Sequence, residues 1–393
     1  MFEIAIVCAL RTPIGRFGGS LCSLPAASLG ARVIKGLIEK TGIDRSMINE
    51  VIMGQVLTAG QGQNPARQTA IYADLPVTCP AVTINKVCGS GLKAVIFGVQ
   101  AIQNDCDTVI IAGGQENMSR SGHLFPRSHK GETFTENHLT VDTLLFDGLT
   151  DAFSSAHMGV TAENIAKNFA ITRLEQDKYA FDSYTKAIKA KGTGKFRNEI
   201  VSCLISGSED VANYFAEDEY IKSECSLITL GKLDTIFCSD GTVTSGNSSG
   251  INDGAAAVLL MSLEKAKQLG LDVLGIVRGY ASVGVDPQIM GTGPILATKK
   301  CLEYSGWDIS QLDLIELNEA FASQAILVNR ELGWDTRKVN VNGGSIALGH
   351  PIGASGCRIL VTLLHEMVKK DLKKGLVTLC IGGGQGIALA VER

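Results

Sequence analysis

The chain has 393 residues, 45% hydrophobic and 19% charged, with 44 glycines, 9 prolines and a formal net charge of −4. It is too long for one hydrophobic core, since cores stop growing near about 250–300 residues, so two or three packed units of a glycine-rich globular protein are expected. The mild negative charge excludes a general attraction to nucleic acid or anionic membrane, and no apolar run is long enough to span a bilayer.

Eleven cysteines without a CxxC pair argue for a reducing compartment, with thiols buried or used chemically. Met1 to Leu10 reads as a short apolar strand with no basic region before it and no small-residue cleavage site after it. Val391-Glu392-Arg393 is not a peroxisomal address. A cytoplasmic protein is the expectation.

From Lys35 the chain reads as an amphipathic helix, a turn at Gly42, a short acidic linker with Asp44 and Ser46, and a buried strand Val51-Ile52-Met53. A further strand, Val82-Thr83-Ile84-Asn85, passes through Lys86-Val87-Cys88-Gly89-Ser90-Gly91-Leu92-Lys93-Ala94, a glycine turn that opens a helix. At a helix start, unpaired N–H groups and the positive dipole end favour a Cys88 thiolate, a nucleophile near neutral pH. The glycines let a substrate approach the backbone. A buried structural thiol is the plainer reading of Cys88. A third, Gly89-x-Gly91-x-x-Ala94 as a dinucleotide fingerprint, needs an acidic residue after the next strand, whereas Asp107 precedes the strand Val109 to Ile111.

Residues 121–246 are richer in polar residues, His and Phe, and read as an inserted, substrate-facing segment. The basic stretches Lys186 to Arg197 and Lys369 to Lys374 read as solvated helix faces. Beyond the insertion the opening pattern returns. Lys299, Glu303, Gly306, Asp308 and Ser310 repeat Lys35, Glu39, Gly42, Asp44 and Ser46 about 264 positions later, and the strand Leu314-Ile315 follows. Val339-Asn340-Val341-Asn342 then answers Val82 to Asn85, Ser355-Gly356 answers Ser90-Gly91, and Val377 to Gly382 answers Val109 to Gly114.

Strands that alternate with helices and read as continuous apolar runs belong to mixed or parallel sheets covered on both faces. The predicted fold class is therefore α/β, with two similar mixed-sheet domains from an internal duplication and an inserted loop domain. Residues 1–120 with 247–271 form the N-terminal domain, 121–246 the insertion and 272–393 the C-terminal domain. The active site is expected where the three parts meet.

In the second copy, Glu316-Leu317-Asn318-Glu319-Ala320-Phe321 follows the strand at Leu314 and opens a helix. A buried Asn318 there orients water or a carbonyl, or else caps the helix. The glycine-dense loop from Asn342 to Gly356 carries His350, either as a general base with space beside it or as a satisfied structural residue. Cys380-Ile381-Gly382-Gly383-Gly384-Gln385-Gly386 ends an apolar strand in a turn whose N–H groups can face a developing oxyanion.

Cys88-Gly89-Ser90-Gly91, Asn318-Glu319-Ala320-Phe321, Gly349-His350-Pro351 and Cys380-Ile381-Gly382-Gly383-Gly384, in that order, resemble the four signature blocks of the thiolase family across nearly the whole chain. The resemblance implies the thiolase fold, usually as a homotetramer, acting on coenzyme A thioesters as small-molecule substrates. It implies Cys88 as the acylated nucleophile, His350 as its base, and Cys380 as the acid/base that takes a methyl proton from a second acetyl-CoA. One oxyanion site would use His350 with a water held by Asn318, the other the N–H groups of Cys88 and Gly382.

The coenzyme A contacts it implies are Leu149, His157 and Met158, then Lys222, Phe237, Ser245 and Ser249, with Met290, Ala320 and Phe321 beside them. Lys222 stands where related sequences often have Arg, and keeps the charge without the planar surface. Met158 and Met290 match the acyl-pocket methionines of the short-chain biosynthetic branch, which implies a reversible Claisen condensation of two acetyl-CoA to acetoacetyl-CoA. A degradative 3-ketoacyl-CoA thiolase of longer acyl range, or a catalytically silent acyl-CoA-binding relative, is the alternative. No metal or redox cofactor is expected, because the histidines and cysteines show no metal-ligand spacing, and neither nucleic acid nor membrane is an expected partner.

Overall fold

The computed structural model describes residues 2–125, 140–206, 213–222 and 224–393, so the stretches 126–139 and 207–212 of the expected insertion lie outside the described residues. In chain order the strands are β1 (Ile4–Arg11), β2 (Gly15–Arg16), β3 (Glu50–Gly54), β4 (Ala81–Ile84), β5 (Ile110–Asn117), β6 (His123–Leu124), β7 (Val141–Asp142), β8 (Cys203–Ser206), β9 (Asn213–Phe215), β10 (Asn252–Ser262), β11 (Gly275–Gly284), β12 (Leu314–Leu317), β13 (Lys374–Ile381) and β14 (Gln385–Glu392). The helices are α1 (Ala26–Thr41), α2 (Pro65–Tyr72), α3 (Ser90–Asn104), α4 (Met158–Asn168), α5 (Arg173–Gly192), α6 (Leu227–Gly231), α7 (Leu263–Gln268), α8 (Gly293–Ser305), α9 (Ala322–Leu332), α10 (Ser345–Leu348) and α11 (Ser355–Lys370).

Ten strands share one sheet in the order β12-β13-β14-β11-β1-β10-β5-β3-β4, with β2 alongside β10. The pairs β3·β4, β3·β5 and β12·β13 are parallel and the remainder antiparallel, a mixed sheet as predicted. The halves mirror each other, β3-β5-β10-β1 against β12-β13-β14-β11, and join where Ile4–Ile6 runs antiparallel to Gly275–Val277.

The apolar runs are continuous because both faces of the sheet are covered. Along β10, Ala256, Val258 and Leu260 face α3 and α11, while Ala255, Ala257, Leu259 and Met261 face the other way, toward α1 and α2. In the second half Ile315, Leu317, Leu376 and Ala388 pack under α8 and α9. Helices α3 and α11, the matching helices of the two copies, thus lie together in the central core with Leu92, Val95, Cys357 and Leu360.

The repeat extends to the caps. Helix α1 ends on Gly42 and α8 on Gly306, both at φ 67°, and Asp44 and Asp308 each accept a hydrogen bond from the N–H two residues on, in Ser46 and Ser310. Two expectations change. Val339 to Asn342 forms a single bridge to Ile315 rather than a strand, because Asn340 turns left-handed at φ 46° and its side chain bonds both N–H and C=O of Leu317. Strand β5 also runs past Gly113 and Gly114, which do not end it; a Cβ on Gly113 would lie 2.1 Å from the Ala256 oxygen, and one on Gly114 2.0 Å from the Gly353 oxygen.

Within the insertion, α5 packs Ala180, Tyr184 and Ala187 against Ile346, Ala347 and Leu348. Arg11 at the end of β1 is buried and bonds Glu199 and Asp218, each at 2.7 Å, which ties the insertion to the sheet. Among the described residues no helix is long and apolar enough to cross a membrane.

The matched caps give a test of the duplication in energy. Nothing lies within 4 Å of a Cβ built on Gly42 or Gly306, so substitution meets only the left-handed backbone strain. Gly42→Ala and Gly306→Ala should each cost about 1–2 kcal/mol, read as equal drops in urea midpoint; a loss at only one site would show that the two caps are not equivalent.

Candidate active site

Four segments converge at the N-terminal ends of α3 and α11. The first is the turn into α3. Val87 has φ 46°, a strained conformation for a β-branched residue. It is held there because its N–H donates to Asn85 Oδ1 at 2.8 Å and its C=O accepts from Ser90 Oγ at 2.7 Å. The strain turns Cys88 out of the strand direction.

Cys88 keeps part of its surface open and packs beside Leu149 and Ile352. Its own N–H and that of Gly382 point at the sulfur, yet burial outweighs them and pushes the thiol up to about 11. The expected thiolate at neutral pH is therefore not its resting form. The turn adds little to oppose burial, because the N–H groups of Gly89 and Ser90 are spent on the carbonyls of Lys86 and Val87 at 3.0 Å each. They are not free to face sulfur.

The second segment is the end of β13. Cys380 is fully buried with Met158, Met290, Ala320 and Phe321. Its thiol is held well above the ordinary range, first by burial and then by the neighbouring Cys88. Gly382 follows in the turn, where a Cβ would lie 3.3 Å from Met158 Sδ and 3.4 Å from a Val87 methyl. Both thiols are unpaired.

The third segment is the loop before α11. His350 is buried, and its backbone N–H donates to Asn252 Oδ1 at 2.9 Å. Ser355 Oγ donates to the Pro351 carbonyl at 2.8 Å, so its contact with His350 Nδ1 at 2.6 Å is one in which Nδ1–H donates. That assignment leaves a lone pair on Nε2, which has no hydrogen-bond partner among the described residues. Burial, followed by the charge of Arg358, pushes the imidazole down to about 3, so it rests neutral.

The fourth segment follows β12. Asn318 is buried and does not cap a helix: α9 starts at Ala322 with Phe321 as its cap residue. Its Oδ1 accepts from Ser345 Oγ at 2.6 Å, while its Nδ2 has no partner among the described residues. Two buried polar atoms, Asn318 Nδ2 and His350 Nε2, are thus left for a ligand or solvent.

A cleft of about 540 Å³ opens beside these groups. His350, Leu149, His157, Met158, Phe237, Ser245, Ser249 and Phe321 line it. Met290 and Ala320 stand behind that wall with Cys380. The Phe237 ring stacks on His157 at 4.7 Å and meets Phe321 edge-on at 6.2 Å. Lys222 is exposed and lies outside the lining, its ammonium over the Tyr184 and Tyr220 rings at 5.6 and 5.8 Å. Sequence reasoning missed Phe17, Met118, Tyr220, Ile251 and Ile352 as lining residues; Phe17 and Met118 carry no motif, whereas Tyr220, Ile251 and Ile352 each stand two residues from one already singled out, Lys222, Ser249 and His350.

Beside the cleft stand a partly exposed thiol, a second, buried thiol, a neutral imidazole with a free lone pair, and the N–H groups of Cys88 and Gly382 that point at the Cys88 sulfur. Residues 4–264 match the family model described as "Thiolase, N-terminal domain", and residues 271–393 that described as "Thiolase, C-terminal domain". An acetyl-CoA acetyltransferase of Chromobacterium violaceum is 58% identical over 100% of both chains, and one of Pseudomonas aeruginosa is 56% identical over the same share. The crystal structure of the Bacillus anthracis acetyl-CoA acetyltransferase superposes with a TM-score of 0.96 at 40% identity, covering 100% of this chain and 99% of that one.

With the thiol near 11 and the imidazole near 3, the resting pair is neutral across the physiological range. Alkylation of Cys88 in the free protein by iodoacetamide should therefore climb about tenfold per pH unit from pH 6 to 9. A plateau reached below pH 7 would mean a preformed thiolate–imidazolium pair and would contradict this assignment.

Proposed function

The chain belongs to the thiolase family, and from that premise we propose how it acts as an acetyl-CoA acetyltransferase. The reaction joins two acetyl-CoA into acetoacetyl-CoA and CoA through an acetyl-cysteine, and runs in reverse as thiolysis.

His350 Nε2 takes the proton of Cys88 as the sulfur attacks the acetyl carbonyl, and the CoA sulfur leaves with the proton of Cys380. Cys380 is then a thiolate. It removes a proton from the methyl of a second acetyl-CoA, and the carbanion attacks the acetyl carbon on Cys88. Acetoacetyl-CoA forms, Cys88 leaves as thiolate and recovers its proton from His350, and Cys380 holds the methyl proton.

What carries this reading is the convergence on one sulfur: the N–H groups of Cys88 and Gly382 point at Cys88, and Cys380 lies close enough to feel its charge. Those N–H groups suit the oxyanion of the cysteine-bound acyl group. The unpartnered Nε2 of His350 and Nδ2 of Asn318 suit the enolate oxygen of the second thioester, through a water on Asn318. The pantetheine would run past Leu149, His157, Phe237, Ser245 and Ser249, with Lys222 toward the nucleotide end. No step asks for a metal or redox cofactor.

Met158, Met290 and Phe321 pack around Cys380, and this filled wall supports acetyl over longer acyl groups. Eleven free thiols support a reducing, cytoplasmic setting, and the family resemblance supports a homotetramer.

Purified protein should cleave acetoacetyl-CoA faster than six- or eight-carbon ketoacyl-CoA; the opposite order would favour the degradative reading. Met158→Ala should narrow that preference by about 1–3 kcal/mol, or roughly 5- to 150-fold in relative kcat/KM. Cys88→Ala should lower thiolysis by about 10³-fold or more and abolish the acetyl adduct seen by mass spectrometry after mixing with acetyl-CoA. A silent binding relative would carry no adduct on Cys88 at all.

A further inference from the structure

Asn318 works in the proposed reaction only if its carboxamide points the right way, and the two ends of a carboxamide have nearly the same shape. What fixes the orientation lies behind it. Arg358, buried in the second turn of α11, donates from Nη2 to Ser345 Oγ at 2.7 Å, and Ser345 Oγ lies 2.6 Å from Asn318 Oδ1.

A guanidinium has only donors, so Ser345 Oγ must accept from Arg358. Ser345 then has one hydrogen to give, and Asn318 is its one side-chain acceptor among the described residues. The atom facing Ser345 is therefore the amide oxygen. The NH2 group is forced to the opposite side, where it has no partner among the described residues. A flipped amide would strand the serine hydrogen in the core without an acceptor.

We propose that Ser345 and Arg358 are positioning residues of the acyl-transfer reaction, a donor-only brace that sets the Asn318 carboxamide with its NH2 toward the substrate. The inference rests on the proposed role of Asn318. It goes beyond that role by assigning two residues outside the four signature blocks.

The test uses full-length protein and steady-state thiolysis of acetoacetyl-CoA, with circular dichroism to confirm folding. Ser345→Ala should lower kcat about tenfold to a hundredfold, less than the ~10²–10³ lost with a direct oxyanion donor, and leave KM within about twofold. Ser345→Thr, which keeps the hydroxyl on a larger side chain, should recover most of kcat. Ser345→Cys, similar in volume but a weak donor, should not. Asn318→Ala should be impaired at least as much as Ser345→Ala, and the double variant no worse than Asn318→Ala alone.

Wild-type kcat in Ser345→Ala, equal impairment of the Thr and Ala variants, or full additivity in the double variant would each overturn the brace. An impaired Asn318→Ala beside an unimpaired Ser345→Ala would sink the brace and leave the site reading standing. Wild-type kcat in Asn318→Ala would sink both.

Discussion

The constraint on which the site depends is the close contact of α3 and α11 at their N-terminal ends. A Cβ on Gly91 would lie 3.0 Å from the Gly353 oxygen, one on Gly356 2.7 Å from Leu92, and one on Gly114 2.0 Å from the Gly353 oxygen. These neighbours are mainly backbone atoms, which cannot swing aside as a flexible side chain can. Separation of the helices by one methyl group would draw apart the turn that carries Cys88 and the loop that carries His350. The glycines thus bring together two chemical groups more than 250 positions apart in the chain.

Such proximity in a buried site has an electrostatic consequence. Charge is costly away from water, so the Cys88 thiol and the His350 imidazole rest neutral, and in the proposed reaction the proton moves only when a thioester is there to receive the sulfur. Glu116 illustrates the same economy among the supports. Burial pushes its carboxyl up to about 7, offset in part by backbone N–H groups of Val56, Leu57 and Gly353. One carboxylate therefore ties the end of β3 to the loop after His350.

The sequence made the four chemical blocks and the duplication readable because both rest on local rules. A glycine at a helix end, an Asp two residues later and a continuous apolar strand each have a meaning that needs no tertiary knowledge, and Gly42, Gly306, Asp44 and Asp308 kept it. What stayed hidden was set by side chains folding back on their own turn and by burial from distant segments. The strain at Val87 depends on Asn85 and Ser90 side chains folding back. Cys88 looked like a thiolate because the burial that opposes ionisation comes from residues far along the chain. Arg358 carries no motif of its own and was not singled out, and Phe17 and Met118 reach the cleft from segments with no motif.

The duplication also explains why the site is asymmetric. Two residues before Ser90 the first copy has Cys88; two residues before Ser355 the second has Gly353, whose carbonyl rests against Gly114. A side chain at Gly353 would meet Glu116 Oε2 at 2.5 Å and the Gln55 Cα at 2.9 Å, so the second copy cannot hold a nucleophile there without losing the contact that aligns the helices. The sheet is divided likewise: on the repeat, buried Ala112 of β5 answers Cys380 of β13. Each copy therefore gives up a side chain where the other needs room, and the pair of helix ends supports the one proposed reaction centre instead of two.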